Sequence, residues 1–116
     1  VSEDQFAQNV DMFRYIAKEA DKRGIWVVQM FYNILLSKPF AEKHGLSSQL
    51  DHPVPIAADY TRKSIAEFVK QYPNVGLMVC LGEALQDVPE QSTWCTDVIL
   101  RGVKDGMKAA GLTQEP

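Results

Sequence analysis

Glu83 closes the apolar run Val75-Gly76-Leu77-Met78-Val79-Cys80-Leu81-Gly82, and Ala84 and Leu85 follow it. Such a run reads as a short buried strand that delivers a carboxylate at its end. Loops leaving the C-terminal ends of parallel strands form the rims of pockets, so a carboxylate there is placed to act as an acid or a base. Burial against Leu81, Leu85 and nearby aromatics would favour the neutral carboxyl, the form that donates a proton. The plainer alternative is that Glu83 is the first solvated residue of a loop. Asn33 is the second candidate, near the end of the other apolar run, residues 25–34. It suits a pocket residue there, and equally an amide that satisfies buried backbone. Tyr32 precedes it. Lys38 and His44 fall in the long connection that follows, where they would belong to an ordered lid or pocket wall.

Positioning these groups takes a scaffold, and the sequence outlines one. Ser2 and Gln5 have the spacing of a capping box. Phe6, Val10, Phe13, Ile16, Ala17 and Ala20 then keep one helical stripe until Gly24 stops it. Residues 25–34 are dense in β-branched and aromatic side chains, the pattern of a parallel strand covered on both sides. Alternation puts Val27, Gln29, Phe31 and Asn33 on one face and Trp26, Val28, Met30 and Tyr32 on the other. Residues 35–58 keep no period beyond a helical turn at 39–44, which Gly45 ends. Asp59 reads as the cap of a helix over 60–72, terminated by Pro73. A polar loop at 86–91 leads to a third helix capped near Ser92, with Trp94, Val98, Ile99, Val103, Met107 and Ala110 as its apolar stripe. Gly102 and Gly106 sit one turn apart inside it. Each costs about 1 kcal/mol relative to Ala and suits a close approach to a neighbour.

The fold class is therefore α/β: two consecutive βα units with a leading helix and parallel strands. Two strands cannot bury both faces of a sheet, yet both of these are apolar on both faces. The pattern predicts further strands, most economically a partial (β/α)8 TIM barrel, with the chain as one segment of a larger catalytic domain whose next strand would follow Pro116.

Bulk properties narrow the function. The chain has 116 residues and a formal net charge of −3, with no basic stripe of the kind nucleic-acid binders use. No apolar run reaches the roughly 18 to 20 residues that span a bilayer. Neither partner, nucleic acid or membrane, is expected. Cys80 and Cys95 form no CxxC and read as free packed thiols, with a bridge between them left open. His44 and His52 lie in one loop without a third ligand, so no metal is expected. A glycine-rich phosphate or dinucleotide turn is also missing, and no cofactor is expected.

The passage Tyr60-Thr61-Arg62-Lys63-Ser64-Ile65-Ala66-Glu67-Phe68-Val69-Lys70-Gln71-Tyr72-Pro73-Asn74-Val75-Gly76 resembles the middle of (β/α)8-barrel glycoside hydrolases. In these a helix ending in this way feeds a strand that finishes in a catalytic Glu. The stretch from Val98 to Lys108 is similar to the helix after that strand in carbohydrate-active barrels, α-glucuronidase-like ones included. The resemblance implies a carbohydrate substrate, Glu83 as general acid or acid/base, and a second carboxylate from a strand outside this chain. It implies substrate contacts from Asn33, Tyr32, Lys38 and His44, and aromatic stacking from Tyr32, Phe40 or Trp94. Many retaining members carry Asn-Glu at the strand end, whereas this chain has Gly82-Glu83. Two other readings compete. The run Val79 to Leu85 is also similar to the opening strand of ribokinase-type sugar kinases, but the glycine-rich segments that follow it there are lacking here. A non-catalytic α/β binding or interaction domain fits the chain's size alone.

Overall fold

The computed structural model describes residues 1–81 and 83–112; Gly82 and the tail from 113 onward lie outside the described residues. The first helix, α1 (Glu3–Lys22), starts on the expected capping box: Ser2 Oγ accepts the Gln5 N–H, and Gln5 Oε1 accepts the Ser2 N–H. It stops at Gly24, whose φ of +67° is the left-handed conformation that glycine adopts without strain. Only part of its apolar stripe is covered. Ala17 is buried, and Val10 and Phe13 pack with Tyr72, Val75 and Phe68. Phe13 meets the Tyr72 ring edge-on at 4.8 Å. Phe6 and Ile16, expected on the same buried face, are exposed.

Strands β1 (Val27–Tyr32) and β2 (Val75–Cys80) pair in parallel, in register from Val27 opposite Val75 to Tyr32 opposite Cys80. The crossover between them contains α2 (Lys38–Lys43) and α3 (Pro55–Gln71). The third helix follows as α4 (Val88–Trp94), a π-helical turn (Cys95–Ile99) and α5 (Leu100–Ala109). The order of helices and strands is thus the expected one, but four boundaries move, one of them the end of the second strand, which falls at Cys80, three residues before Glu83. The first strand is four residues shorter than the apolar run. The second helix begins at Pro55, not after Asp59: Pro lacks an N–H that the first turn leaves unpaired anyway. Asp59 lies inside the helix and pairs with Lys63 at 2.7 Å. The third helix begins at Val88, capped by Asp87 instead of Ser92, with Asp87 Oδ1 accepting the Glu90 N–H at 3.4 Å.

The core lies between the sheet and α3, the π turn and α5. Ile65, Val69, Leu85, Trp94, Val98, Ile99 and Met107 are buried there, with Phe31, Leu77 and Val79 of the strands packed against them. The two interior glycines let α5 lie directly on α3. A Cβ at Gly102 would stand 2.8 Å from the Arg62 carbonyl, and one at Gly106 2.7 Å from the Val69 Cβ. The opposite face of the sheet is bare. Val28, Met30, Tyr32 and Met78 are each about half exposed, and Trp26 just before β1 is 91% exposed. No helix is long and apolar enough to cross a membrane among the described residues.

Candidate active site at the strand ends

Because β1 and β2 are parallel, their C-terminal ends share one rim. Tyr32 stands opposite Cys80 in the last register pair, on the bare face of the sheet. The next residue, Asn33, continues the ladder: its N–H donates to the Cys80 carbonyl at 3.1 Å. Its side chain donates Nδ2–H to the Leu81 carbonyl at 3.5 Å, the long limit of such a bond. Asn33 is only 4% exposed, and its Oδ1 is buried without a hydrogen-bond partner among the described residues. It lines a cavity of about 300 Å³ between β1 and α3, together with Phe31, Tyr60, Thr61 and Ser64. Thr61 Oγ1 is also buried and unpaired among the described residues.

Ile34 follows with φ +56°, the one positive φ outside glycine among the described residues. A buried β-branched residue in that conformation is a genuine backbone outlier, and such outliers cluster at functional turns. Here it turns the chain sharply off the strand end. The Ile34 carbonyl then accepts the Leu50 N–H at 3.2 Å, the Leu36 N–H donates to Ser48, and Leu35 bridges Gln49 antiparallel. The long connection is therefore folded back on itself. Within it, α2 is fastened to the start of α3: the His44 ring lies 4.5 Å from Phe40, Phe40 lies 4.2 Å from Tyr60, and Tyr60 Oη accepts the Ser37 N–H. The Lys38 side chain is 82% exposed, with Glu42 at 3.8 Å.

Glu83 is exposed, and its carboxylate has no hydrogen bond or ion pair among the described residues. The burial expected from Leu81 and Leu85 is not delivered by this chain, because Leu85 turns fully into the core instead. The Leu85 carbonyl accepts Nε2–H of Gln91 at 2.6 Å. The structure thus brings Tyr32, Asn33 and the Glu83 segment to one rim. Lys38 and His44 occupy the adjoining connection, and no hydrogen bond or ion pair joins them to that group among the described residues. Trp94 is 2% exposed and belongs to the core, not to a stacking platform.

Gln91 went unnoticed in the sequence as a contributor to the rim. The signal was the Asp87 cap, which puts Gln91 in the first turns of a helix and brings its side chain back over the preceding loop. The residues with displaced acidities lie elsewhere. Arg62, 2.6 Å from Asp105, holds that carboxyl below its usual range, and His52 does the same to Asp51. Both cysteines are free.

This arrangement of two parallel βα units behind a leading helix has a counterpart among solved structures. The chain is similar over its whole length to a segment of a glycoside hydrolase. That structure is of a GH138 enzyme targeting pectin rhamnogalacturonan II; the identity is 51% and the TM-score 0.95. The match covers 100% of this chain and 17% of the enzyme's chain, so the chain spans about a sixth of the length of the protein it resembles. No family model and no curated protein matches.

Proposed function

We propose that this chain forms part of a glycoside hydrolase acting on a pectic carbohydrate of the rhamnogalacturonan II class, with Glu83 as general acid or acid/base. The observation that carries the reading is the 51% identity, at a TM-score of 0.95, to a segment of an enzyme with that target. Glycoside cleavage needs two carboxyl groups across the scissile bond, roughly 5 to 5.5 Å apart for retention and 6.5 to 9.5 Å for inversion. Glu83 supplies one. The other comes from a strand beyond this chain. Tyr32 at the same rim and Lys38 and His44 in the adjoining connection are the proposed sugar contacts; Asn33, expected among them, is buried at the strand end.

The same proposal gives the segment its architecture: two neighbouring βα units of a (β/α)8 barrel. The bare sheet face with Val28, Met30, Tyr32 and Met78 supports this, since a two-stranded parallel sheet with one apolar face open to water is not stable alone. In a barrel that face is the packed interior. Glu83 would then be enclosed by neighbouring loops and bound sugar. The test is incubation of the full-length polypeptide with rhamnogalacturonan II and measurement of the reducing ends released. Release that depends on the enzyme is expected; none, with a folded protein, overturns the reading.

A further inference from the structure

We infer that Asn33 and Gln91 are positioning residues, a pair of carboxamide clamps that fix the Glu83 segment from either side. The inference rests on the reading of Glu83 as the acid. Asn33 donates to the carbonyl of Leu81, two residues before Glu83, and Gln91 donates to the carbonyl of Leu85, two residues after it. The Leu85 side chain, fully buried in the main core, is a third anchor. Glu83 itself is exposed and has no internal hydrogen bond among the described residues, so the backbone that carries it is what this chain can hold in place.

Each clamp comes from an element fixed independently of the loop. Asn33 is the residue that extends the β1 ladder to the Cys80 carbonyl, so its backbone and side chain hold successive carbonyls, Cys80 and Leu81, as the chain leaves β2. The left-handed turn at Ile34 then takes the chain away at once, leaving Asn33 buried at the strand end. Gln91 stands in α4, where its own N–H donates to the Asp87 carbonyl at 2.9 Å and Asp87 caps the helix. A catalytic group displaced by about 1 Å loses on the order of 100-fold in rate. Clamps acting on backbone two residues away change turnover and leave ground-state sugar binding alone.

The experiment uses the full-length polypeptide with Asn33→Leu and Gln91→Met, near-isosteric changes that remove the carboxamide and with it the clamping donor. Each is made alone and combined with Glu83→Gln. Four quantities are read: the rate of proteolytic cleavage within residues 81–86, the melting temperature, and kcat and KM on rhamnogalacturonan II. Cleavage should quicken by roughly fivefold or more, since loss of one hydrogen bond makes local opening that much easier. Turnover should fall roughly 10- to 100-fold at unchanged KM, and neither change should add to the loss in Glu83→Gln. Unchanged cleavage overturns the clamp whatever the activity. So do losses that multiply with that of Glu83→Gln, because they would mark general damage to the fold. Quickened cleavage beside wild-type turnover in Glu83→Gln upholds the clamp and overturns the acid role. If Asn33→Leu fails to fold, the partly exposed Gln91→Met carries the same test.

Discussion

An exposed carboxylate between a partly buried and a fully buried leucine is held in place through its backbone alone. Leu81 and Leu85 draw the chain inward on either side, and Glu83 is left in solvent with its segment held by amides. Trp94 shows the opposite outcome for a residue type often used to stack on sugars. It is 2% exposed and sits in the main core, so Trp94→Ala should destabilise the fold by about 3 to 5 kcal/mol, read as a drop in the denaturation midpoint. Retention of wild-type stability would show that its packing had been misread. At this scale the sequence was half legible. The exposed position of Glu83 after the strand was legible because a strand end is marked by where apolar residues stop. Gln91 was missed because its role depends on a helix starting at Val88, and a side chain that reaches back to the Leu85 carbonyl leaves no periodic trace.

Among the elements, α3 and α5 meet closely enough at Gly102 and Gly106 to be sensitive to a single added methyl group. Gly106→Ala would gain about 1 kcal/mol of helix propensity. The new Cβ, however, would stand 2.5 Å from the Ala66 carbonyl and 2.7 Å from the Val69 Cβ. Backbone and a branched carbon do not give way cheaply, so a net loss of about 1 to 3 kcal/mol is expected by chemical denaturation. A stabilised variant would mean that the helices slide apart freely. The same helix pair carries the Arg62–Asp105 ion pair. Its pH dependence follows from the lowered pKa of Asp105, caused first by the Arg62 hydrogen bond. The pair's contribution is complete above the ordinary carboxylate pKa of about 3.9 and is lost as pH falls from there through the lowered folded value. Asp105→Asn should therefore flatten the acid side of a melting-temperature profile slightly, since the pair is half exposed.

Element type was largely readable from the chain, and element boundaries less so. The capping box at Ser2 and the glycine stops at Gly24 and Gly45 are local devices whose chemistry is written in adjacent residues. Helices α3 and α4 start earlier than expected, with Pro55 and Pro89 in their first turns, where proline is welcome. The π turn at Cys95–Ile99 adds a residue so that Trp94, Val98 and Ile99 all stay inside. Tertiary packing decides that, and no spacing in the sequence announces it.

For the whole molecule, the bare sheet face carries the main consequence. Trp26, Val28, Met30 and Met78 give it more exposed apolar surface than an isolated domain normally tolerates. The proposed barrel covers it. A cysteine placed at Met78 should be labelled readily by a thiol reagent in the 116-residue chain and be shielded in the folded full-length polypeptide, as mass spectrometry of the labelled peptide would show. Equal labelling in both would leave the face open and remove the barrel. The 116-residue chain alone should also hydrolyse nothing, because the proposed second carboxyl group lies outside it.

Proton transfer by Glu83, the proposed acid, is tested by one substitution. In the full-length polypeptide, Glu83→Gln should lower kcat on rhamnogalacturonan II by roughly 100- to 10,000-fold while the protein stays folded, the usual worth of a general acid. Turnover at the wild-type rate would contradict the assignment.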